Sequence, residues 1–505
     1  MAGHSLRDLN AVERVIAAVS PEWGLRRLAA KVNLDISREA VRGFDGARRD
    51  RRTAGWNATG GSASAELGPA LDTLRRRSRD LIRNNEWAHN AKRKLTAHIV
   101  GTGFIPRPVQ GTKTQKKRAR ELWNEFSENC DPQGLMDFGG KQAQQIGEVI
   151  ESGACFVRWY LRPSDWGLKG PIQCDVLEHE HLDTIRTEIR GDNVVVHGVE
   201  YDQWGRRVAY WLFPHHPGDI SALQRTRYQS QRIPSSEVDH IFRVDRPGQV
   251  TGVPWLAPTM LRLRDRGDFE EARLIQEKIA ACLTVFVRKT GTAANNLVQA
   301  QDAAKDDKGR RLEKIKPGMI AYLQPDEEIT TATPNPTSGY GEFMTEQSYA
   351  SAAGVGLTHA QFSGDLRQVN YSGLREGKLD FWTTLDPLQY QMVIPQSSRP
   401  AWRRAMGAAA GRGHAIAADI RAEFTPPRRP WVDPLKDVKA VEMEMALGLA
   451  SWEEEVAARG LDPELHLENL IKQRDELAKA GIVFSSAPGL ADQPQGNQDA
   501  ATAKA

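Results

Sequence analysis

A chain of 505 residues that is 40% hydrophobic can bury substantial cores in about two to four domains, which excludes a mainly disordered protein. Charge interrupts every apolar run well before the ~18 residues of a membrane span, and Asp8, Glu13, Arg14 and Glu22 fall where a signal peptide needs unbroken apolar sequence. Neither a membrane span nor export by that route is therefore expected. The net charge of +3 hides an asymmetry: residues 1–120 carry 25 Lys and Arg against 11 Asp and Glu, leaving −11 on the remainder. Such a division suits a basic region near nucleic acid and a more acidic body, or else solvated arginines along helix faces.

In chain order, residues 1–70 combine short helical patterns with the Gly-, Ser- and Ala-rich stretch RRDRRTAGWNATGGSASAELG, which reads as a basic, partly disordered arm. From Leu71 to about His98 the pattern is helical and strongly basic, and it runs into a strand-like IVGTGF where Gly101 and Gly103 allow a tight turn. Residues 115–129, with Trp123 and Phe126, and residues 141–152 predict two more helices. CFVRWYLR, IQCDVLE and NVVVHGVEYD then read as strands, and Tyr201–Arg206 as a hairpin turn into the strand VAYWLF. Residues 71–245 thus predict an α+β domain.

A proline-rich hinge follows at 243–258, where Pro254 and Pro258 favour extended backbone and then a helix start. Phe269, Ala272, Ile275, Ile279 and Leu283 recur at helical spacing, a stripe that must be buried against something, such as another subunit. TVFVRK and MIAYL predict two strands of a compact hairpin-like insertion with a mobile middle. Residues 340–360 return to helix, and so do 374–411, with interruptions near Pro387 and Pro395. The C-terminal part is expected to be all-helical. It has a stripe of Val438, Val441, Met445 and Leu449, a capping box of Ser451 with Glu454, and a last helix started by Asp462 and Pro463 that carries Leu467, Leu470, Ile471 and Leu477. Residues 484–505 have a disordered composition.

Between two helical segments lies GDLRQVNYSGLREG, residues 364–377, expected as a short glycine-punctuated loop. Its guanidinium groups, amide and single aromatic ring suit contact with a phosphate backbone, because cations neutralise phosphates and a ring can rest on sugar or base. The alternative is a capped turn between packed helices with Tyr371 buried.

Motifs for catalysis are missing. GLREGKL at 373–379 has three residues rather than four between its glycines and Leu379 where a Walker loop has Ser or Thr. The GTG of 101–103 lacks the third glycine of a dinucleotide fingerprint. EHEHLD at 178–183 offers Glu178, His179, Glu180, His181 and Asp183, but without HExxH spacing it reads as a structural strand end, and His215 and His216 as exposed loop histidines. Cys130, Cys155, Cys174 and Cys282 form no CxxC pair, so no zinc module or disulfide framework is expected and a reducing cytoplasm fits. No GxSxG elbow is present. No cofactor, metal or catalytic residue is assigned.

Six ordered stretches together resemble the portal proteins of tailed bacteriophages, of the lambda type: LRRRSRDLIRNN (74–85), IVGTGFIP (99–106), VEYDQWGRRVAYWLF (199–213), RPGQVTGVPWLAP (246–258), DLRQVNYSGLRE (365–376) and WVDPLKD (431–437). Where that family often has Ser or Ala after the Asn-Tyr-Ser at 370–372, this chain has Gly373. The resemblance implies a non-enzymatic portal with an α+β fold, assembled as a homo-oligomeric ring, usually a dodecamer. The ring would stand at one capsid vertex of the virion after synthesis in the host bacterial cytoplasm, and double-stranded DNA would be packaged and ejected through it. Implied partners are the terminase motor, a head-tail adaptor, and major capsid and scaffolding proteins. It also implies a division into an arm (1–70), an α/β wing (71–254), a first stem helix (255–288), a small α/β clip (289–335), a second stem helix (336–362), a tunnel loop (363–377), a return to the wing (378–429), a helical crown (430–482) and a disordered tail (483–505). Arg367, Gln368, Asn370, Tyr371, Ser372 and Arg375 are the expected DNA contacts. Two other readings are an ATPase or nuclease subunit of the packaging machinery and a non-channel DNA-binding capsid scaffold.

Overall fold

The computed structural model describes residues 51, 55, 59–219, 229–282, 285–288, 320–323, 339–367, 370–431 and 433–482. The expected arm falls mostly outside the described residues, as do the tail, Gln368 and, apart from 320–323, the expected clip. The chain divides into Met1–Gly61, of which few residues are described, and Ser62–Ala505, which holds every element below.

Helices α1 (Ala63–Asn84) and α2 (Glu86–Val100) are separated by Asn85 alone. Its backbone N–H donates to Leu81 O (2.8 Å), closing α1, and its side chain accepts from Ala88 N (3.0 Å), opening α2. The expected strand at IVGTGF is instead the last turn of α2. Ile99 and Val100 are fully buried on the helix, and burial overrides their β-branched preference. The chain turns at Gly101 (φ 52) and Gly103 (φ 100) and only then forms strand β1 (Ile105–Pro108).

Helix α3 (Lys113–Asn129) begins at a Thr112/Gln115 capping box and α4 (Phe138–Ser152) at Asp137. Strands β2 (Ala154–Leu161), β3 (Ile172–Glu178) and β9 (Val238–Phe242) form an antiparallel sheet in the order β3-β2-β9. Between α4 and β2, the backbone at Gly153 (φ 94) touches that at Gly252, and a Cβ on Gly153 would lie 2.6 Å from Gly252 O. No side chain fits there.

A second antiparallel sheet runs in sequence order through β4 (Glu188–Arg190), β5 (Asn193–Val196), β6 (Val199–Tyr201), β7 (Arg207–Leu212) and β8 (Gln231–Pro234). The expected turn between β6 and β7 is present: Asp202 accepts from the backbone N–H groups of Trp204 and Arg206, and Gly205 has φ 78. Phe156, Leu182, Val199, Tyr210, Leu212, Val238 and Val250 form the small core between this sheet and β2 and β9.

Helix α5 (Met260–Cys282) follows the proline-rich segment and packs on α6 (Tyr340–Val355). Arg266 Nη1 donates to Ser348 Oγ (2.6 Å) and Arg262 Nη1 to Gln347 Oε1 (2.6 Å), while the Gly354 backbone lies so close to Thr259 that a Cβ would approach its Cγ2 to 2.2 Å. Leu261, Phe269, Leu274, Ile275, Phe343 and Tyr349 stay exposed, and of the expected stripe Phe269, Ala272 and Ile275 are uncovered among the described residues. Strands β10 (Val285–Arg288) and β11 (Ile320–Leu323) are parallel, with Val285 opposite Ile320. The expected hairpin is therefore corrected: parallel strands cannot be joined by a tight turn and need a crossover of about a dozen residues or more.

Helix α7 (His359–Ser363) precedes α8 (Tyr371–Pro387), which continues through a π-helical segment (Leu388–Ser398) into α9 (Arg399–Gly411). The prolines at 387 and 395 shift the helical register here rather than break it, since the wider π turn accommodates a missing N–H. Strand β12 (Ala422–Thr425) then pairs antiparallel with β1, a pairing the sequence reading missed. The main core spans this sequence range. Trp402 is 1% exposed, donates Nε1–H to Ile420 O (2.7 Å), and meets the rings of Trp123 (5.4 Å) and Phe424 (6.5 Å).

Helices α11 (Trp452–Ala458) and α12 (Pro463–Lys479) start at the expected caps, Ser451 with Glu454 and Asp462, and α10 (Pro434–Ala446) at Asp433, a cap not expected from the sequence. Their apolar stripes are largely unburied: α10 has no buried residue and α12 only Pro463. Ion pairs attach α12 to α3, with Lys116 Nζ 2.6 Å from Glu464, and Arg120 Nη2 2.7 Å from Asp462 and 3.0 Å from Glu464.

Two outcomes follow from this contrast. Trp402→Ala should lower the unfolding free energy by about 3–5 kcal/mol in denaturant titrations, by loss of a buried indole and the cavity left behind. Arg120→Ala, which leaves the Asp462 carboxylate without its cation, should speed tryptic cleavage within 459–479 severalfold while the main unfolding transition stays in place. An unchanged cleavage rate would show that the ion pairs do not hold these helices.

Candidate nucleic-acid interface

The expected loop is shorter than its sequence suggested. Helix α7 opens at a Thr358/Gln361 capping box and closes at Gly364 (φ 71), and α8 already begins at Tyr371. Between the two helices residues 364–367 and 370 are described, and none of them is helical. Asn370 is the N-cap of α8, accepting from Gly373 N at 2.7 Å, so Tyr371, Ser372 and Arg375 stand on the first turns of a helix. For the same reason GLREGKL cannot act as a phosphate loop, because it lies within α8, where backbone N–H groups beyond the first turn are taken by the helical ladder.

Arg367 stands at the tip. Its side chain is 88% exposed, and its guanidinium forks onto the neighbouring Asp365, with Nη2 2.7 Å from Oδ2 and Nε 3.0 Å from Oδ1. That fork, with the Arg367 backbone N–H, holds the Asp365 carboxyl well below the usual carboxylate range. An ion pair in open solvent contributes only about 0–1 kcal/mol, so a phosphate can displace the carboxylate. Ser372 is exposed beside it.

Tyr371 is 52% exposed rather than buried, which removes the capped-turn reading with a buried ring. Its hydroxyl donates to Asp433 Oδ2 (3.2 Å), and Arg375 Nη2 donates to Asp437 Oδ1 (3.3 Å). Hydrogen bonding to Tyr371, aided by the charge of Asp437, raises the Arg375 guanidinium above its ordinary value. Asp433 is at once the N-cap of α10 and a partner of α8, so the start of α8 is tied to the start of α10. These partners lie 62 residues from Tyr371 and Arg375, and no local signal in the sequence announces them.

EHEHLD resolves differently from a strand end. His179–His181 form a 3₁₀ turn, and His179 is fully buried, its Nδ1 facing Arg75 and its Nε2 2.5 Å from Thr251 Oγ1. Burial, with the Arg75 charge, depresses His179 far below its ordinary value. Glu178, Glu180 and His216 place ligand atoms within 4.8 Å of one another, so His216 belongs to this cluster rather than to a free loop. Arg79 already supplies the cation: its Nη2 is 2.8 Å from Glu180, 3.3 Å from Glu178 and 2.6 Å from Glu148. Cys130, Cys155 and Cys174 are free and buried.

Burial pushes the Glu148 carboxyl up to about 7 in spite of Arg79. The folded state thus keeps a proton that the unfolded chain gives up near the ordinary value, and wild-type stability from this group is full at low pH and lost as pH rises towards 7. Glu148→Gln cannot ionise. Its unfolding free energy relative to wild type should therefore climb as pH goes from about 4.5 to 7, and a difference that is flat across that window would contradict the assignment.

The family described as "Phage portal protein, lambda family" matches residues 49–389. The probable portal protein of Halomonas phage phiHAP-1 is 26% identical over 461 residues, covering 84% of each chain. Portal protein B of Escherichia phage lambda is 22% identical over 485 residues, covering 87% of this chain and 89% of its own. Among solved structures, a chain in the virion of a native gene transfer agent particle aligns with TM-score 0.40 and 12% identity over 78% of this chain and 94% of its own. Another, from the neck of the native particle computed with C12 symmetry, aligns with TM-score 0.37 and 14% identity over 77% of this chain and 94% of its own.

Proposed function

Because the chain belongs to the lambda family of phage portal proteins, we propose that it works as a closed ring of identical subunits, twelve in number, through which duplex DNA passes at one capsid vertex. The role is structural rather than catalytic, and the packaging motor and the head-tail adaptor dock on the same ring. The observation that carries the ring is the unburied apolar face of α5 and α6, where Leu261, Leu274 and Phe343 each remain at least 48% exposed in a single chain. A neighbouring copy packed on these helices would remove such side chains from water, as a subunit interface does.

Within such a ring the segment 364–375 meets DNA. Arg367 is the leading contact, since its guanidinium is exposed and held only by an exchangeable carboxylate. Ser372 and the free amide of Asn370 add weak polar contacts, and Gln368 belongs to the same segment. Arg375 and Tyr371 reach phosphate only by leaving Asp437 and Asp433, so in the resting chain they position α8. Contacts to phosphate carry no sequence information, which suits DNA that must slide.

Mass measurement of the purified assembly should give one closed species of about twelve 56.2-kDa chains, and a monodisperse monomer would contradict the ring. Arg367→Ala should leave that mass unchanged and cut the yield of packaged DNA severalfold. Failure of the variant to assemble would instead give Arg367 a structural role.

A further inference from the structure

A cavity of about 770 Å³ lies between α8 with its π continuation, β12 with the chain that follows it, and α11. All four residues of β12, Ala422–Thr425, border it. Arg107 of β1, opposite Glu423, borders it as well. Among the described residues β12 pairs with β1 alone, so its other edge has no strand partner. An open edge is a template for one more strand.

The side chains around that edge are unusually cationic and aromatic. Arg428 and Arg459 place their guanidinium carbons 5.1 and 5.2 Å from the centre of the Trp431 ring, and among the described residues neither has a carboxylate partner. Arg399, also on the wall, is unpaired in the same sense. The other three arginines of the lining are each neutralised, as Arg429 is by Asp386.

The lining as a whole carries six arginines against five carboxylates. A polyphosphate would meet Asp386, Glu454 and Glu455 along with the arginines, whereas a single carboxylate beside Trp431 would find unpaired guanidinium charge from Arg428 or Arg459. We propose that this cleft binds an extended segment of another polypeptide, added along the free edge of β12, with one acidic side chain held by Arg428 and Arg459 beside Trp431. The main chain of β12 would supply affinity and the arginine pair would select the acidic residue. The site shares Arg375 with the proposed DNA segment 364–375, but the residues that would hold the peptide, β12, Arg428, Trp431 and Arg459, lie outside that segment.

The test uses the full chain in its native assembly and a fluorescein-labelled, acetylated nonapeptide of alternating Val and Thr with one central Glu. The controls are the same peptide with Gln and a nine-residue oligothymidylate. Fluorescence anisotropy should show saturable binding of the Glu peptide, weakened tenfold or more by its Gln counterpart and by Arg428→Gln with Arg459→Gln. Hydrogen exchange should slow at residues 422–425 when the Glu peptide is added. Equal binding of Glu and Gln peptides, no saturable binding at millimolar peptide, tighter binding of the oligonucleotide, or protection elsewhere than β12 would each overturn the proposal. Because the Glu-to-Gln change is made in the peptide, a variant that folds poorly does not blunt the test.

Discussion

The buried indole of Trp402 is the contact on which the described fold most depends. Its ring joins the aromatic cluster of Trp123, Phe126 and Phe138, and its N–H closes on the carbonyl of Ile420 just before β12. Residues more than 300 positions apart in sequence thereby share one core, from Ile82 to Phe424. Helices α7 and α8 add Phe362, Phe381 and Leu385 to that core, so the short segment between them is held from both ends.

Outside that core, attachment changes character. The C-terminal helices touch the body through Arg375 with Asp437, Tyr371 with Asp433, and Lys116 and Arg120 with the first turn of α12. Ion pairs at partly exposed sites are weak and screened by salt, whereas apolar burial is neither. The C-terminal helices thus bury little apolar surface against the body, Val456 being the buried hydrophobic side chain they contribute among the described residues. They leave apolar side chains such as Leu467, Leu470 and Ile471 exposed. The exposed face of α5 and α6 has the same deficit, which is why an assembly accounts for both.

Much of this architecture was legible in local sequence. Ser451 with Glu454, and Asp462 before Pro463, mark helix starts because a capping oxygen and a pre-set φ act over three or four residues. The turn at Asp202–Gly205 is local in the same way. What failed depended on distant partners. Ile99 and Val100 look like strand residues until the core that buries them on a helix is known. The parallel pairing of β10 with β11 is a property of the crossover, not of either strand. The loop at 364–377 was located by its composition, but Asn370 as a cap shortened it, and Asp433 and Asp437 could not be read as partners of Tyr371 and Arg375 across 62 residues. The family resemblance, carried by six stretches between 74 and 437, agrees with the match over 49–389.

In the proposed assembly identical copies close into a ring whose inner wall carries Arg367. Direct imaging of the purified assembly at a resolution that traces α7 and α8 tests it most sharply. The expected result is a closed ring with a central opening about as wide as a DNA duplex, and residues 364–370 of every subunit on its rim. An open oligomer, or a closed ring with Arg367 on its outer surface, would contradict it.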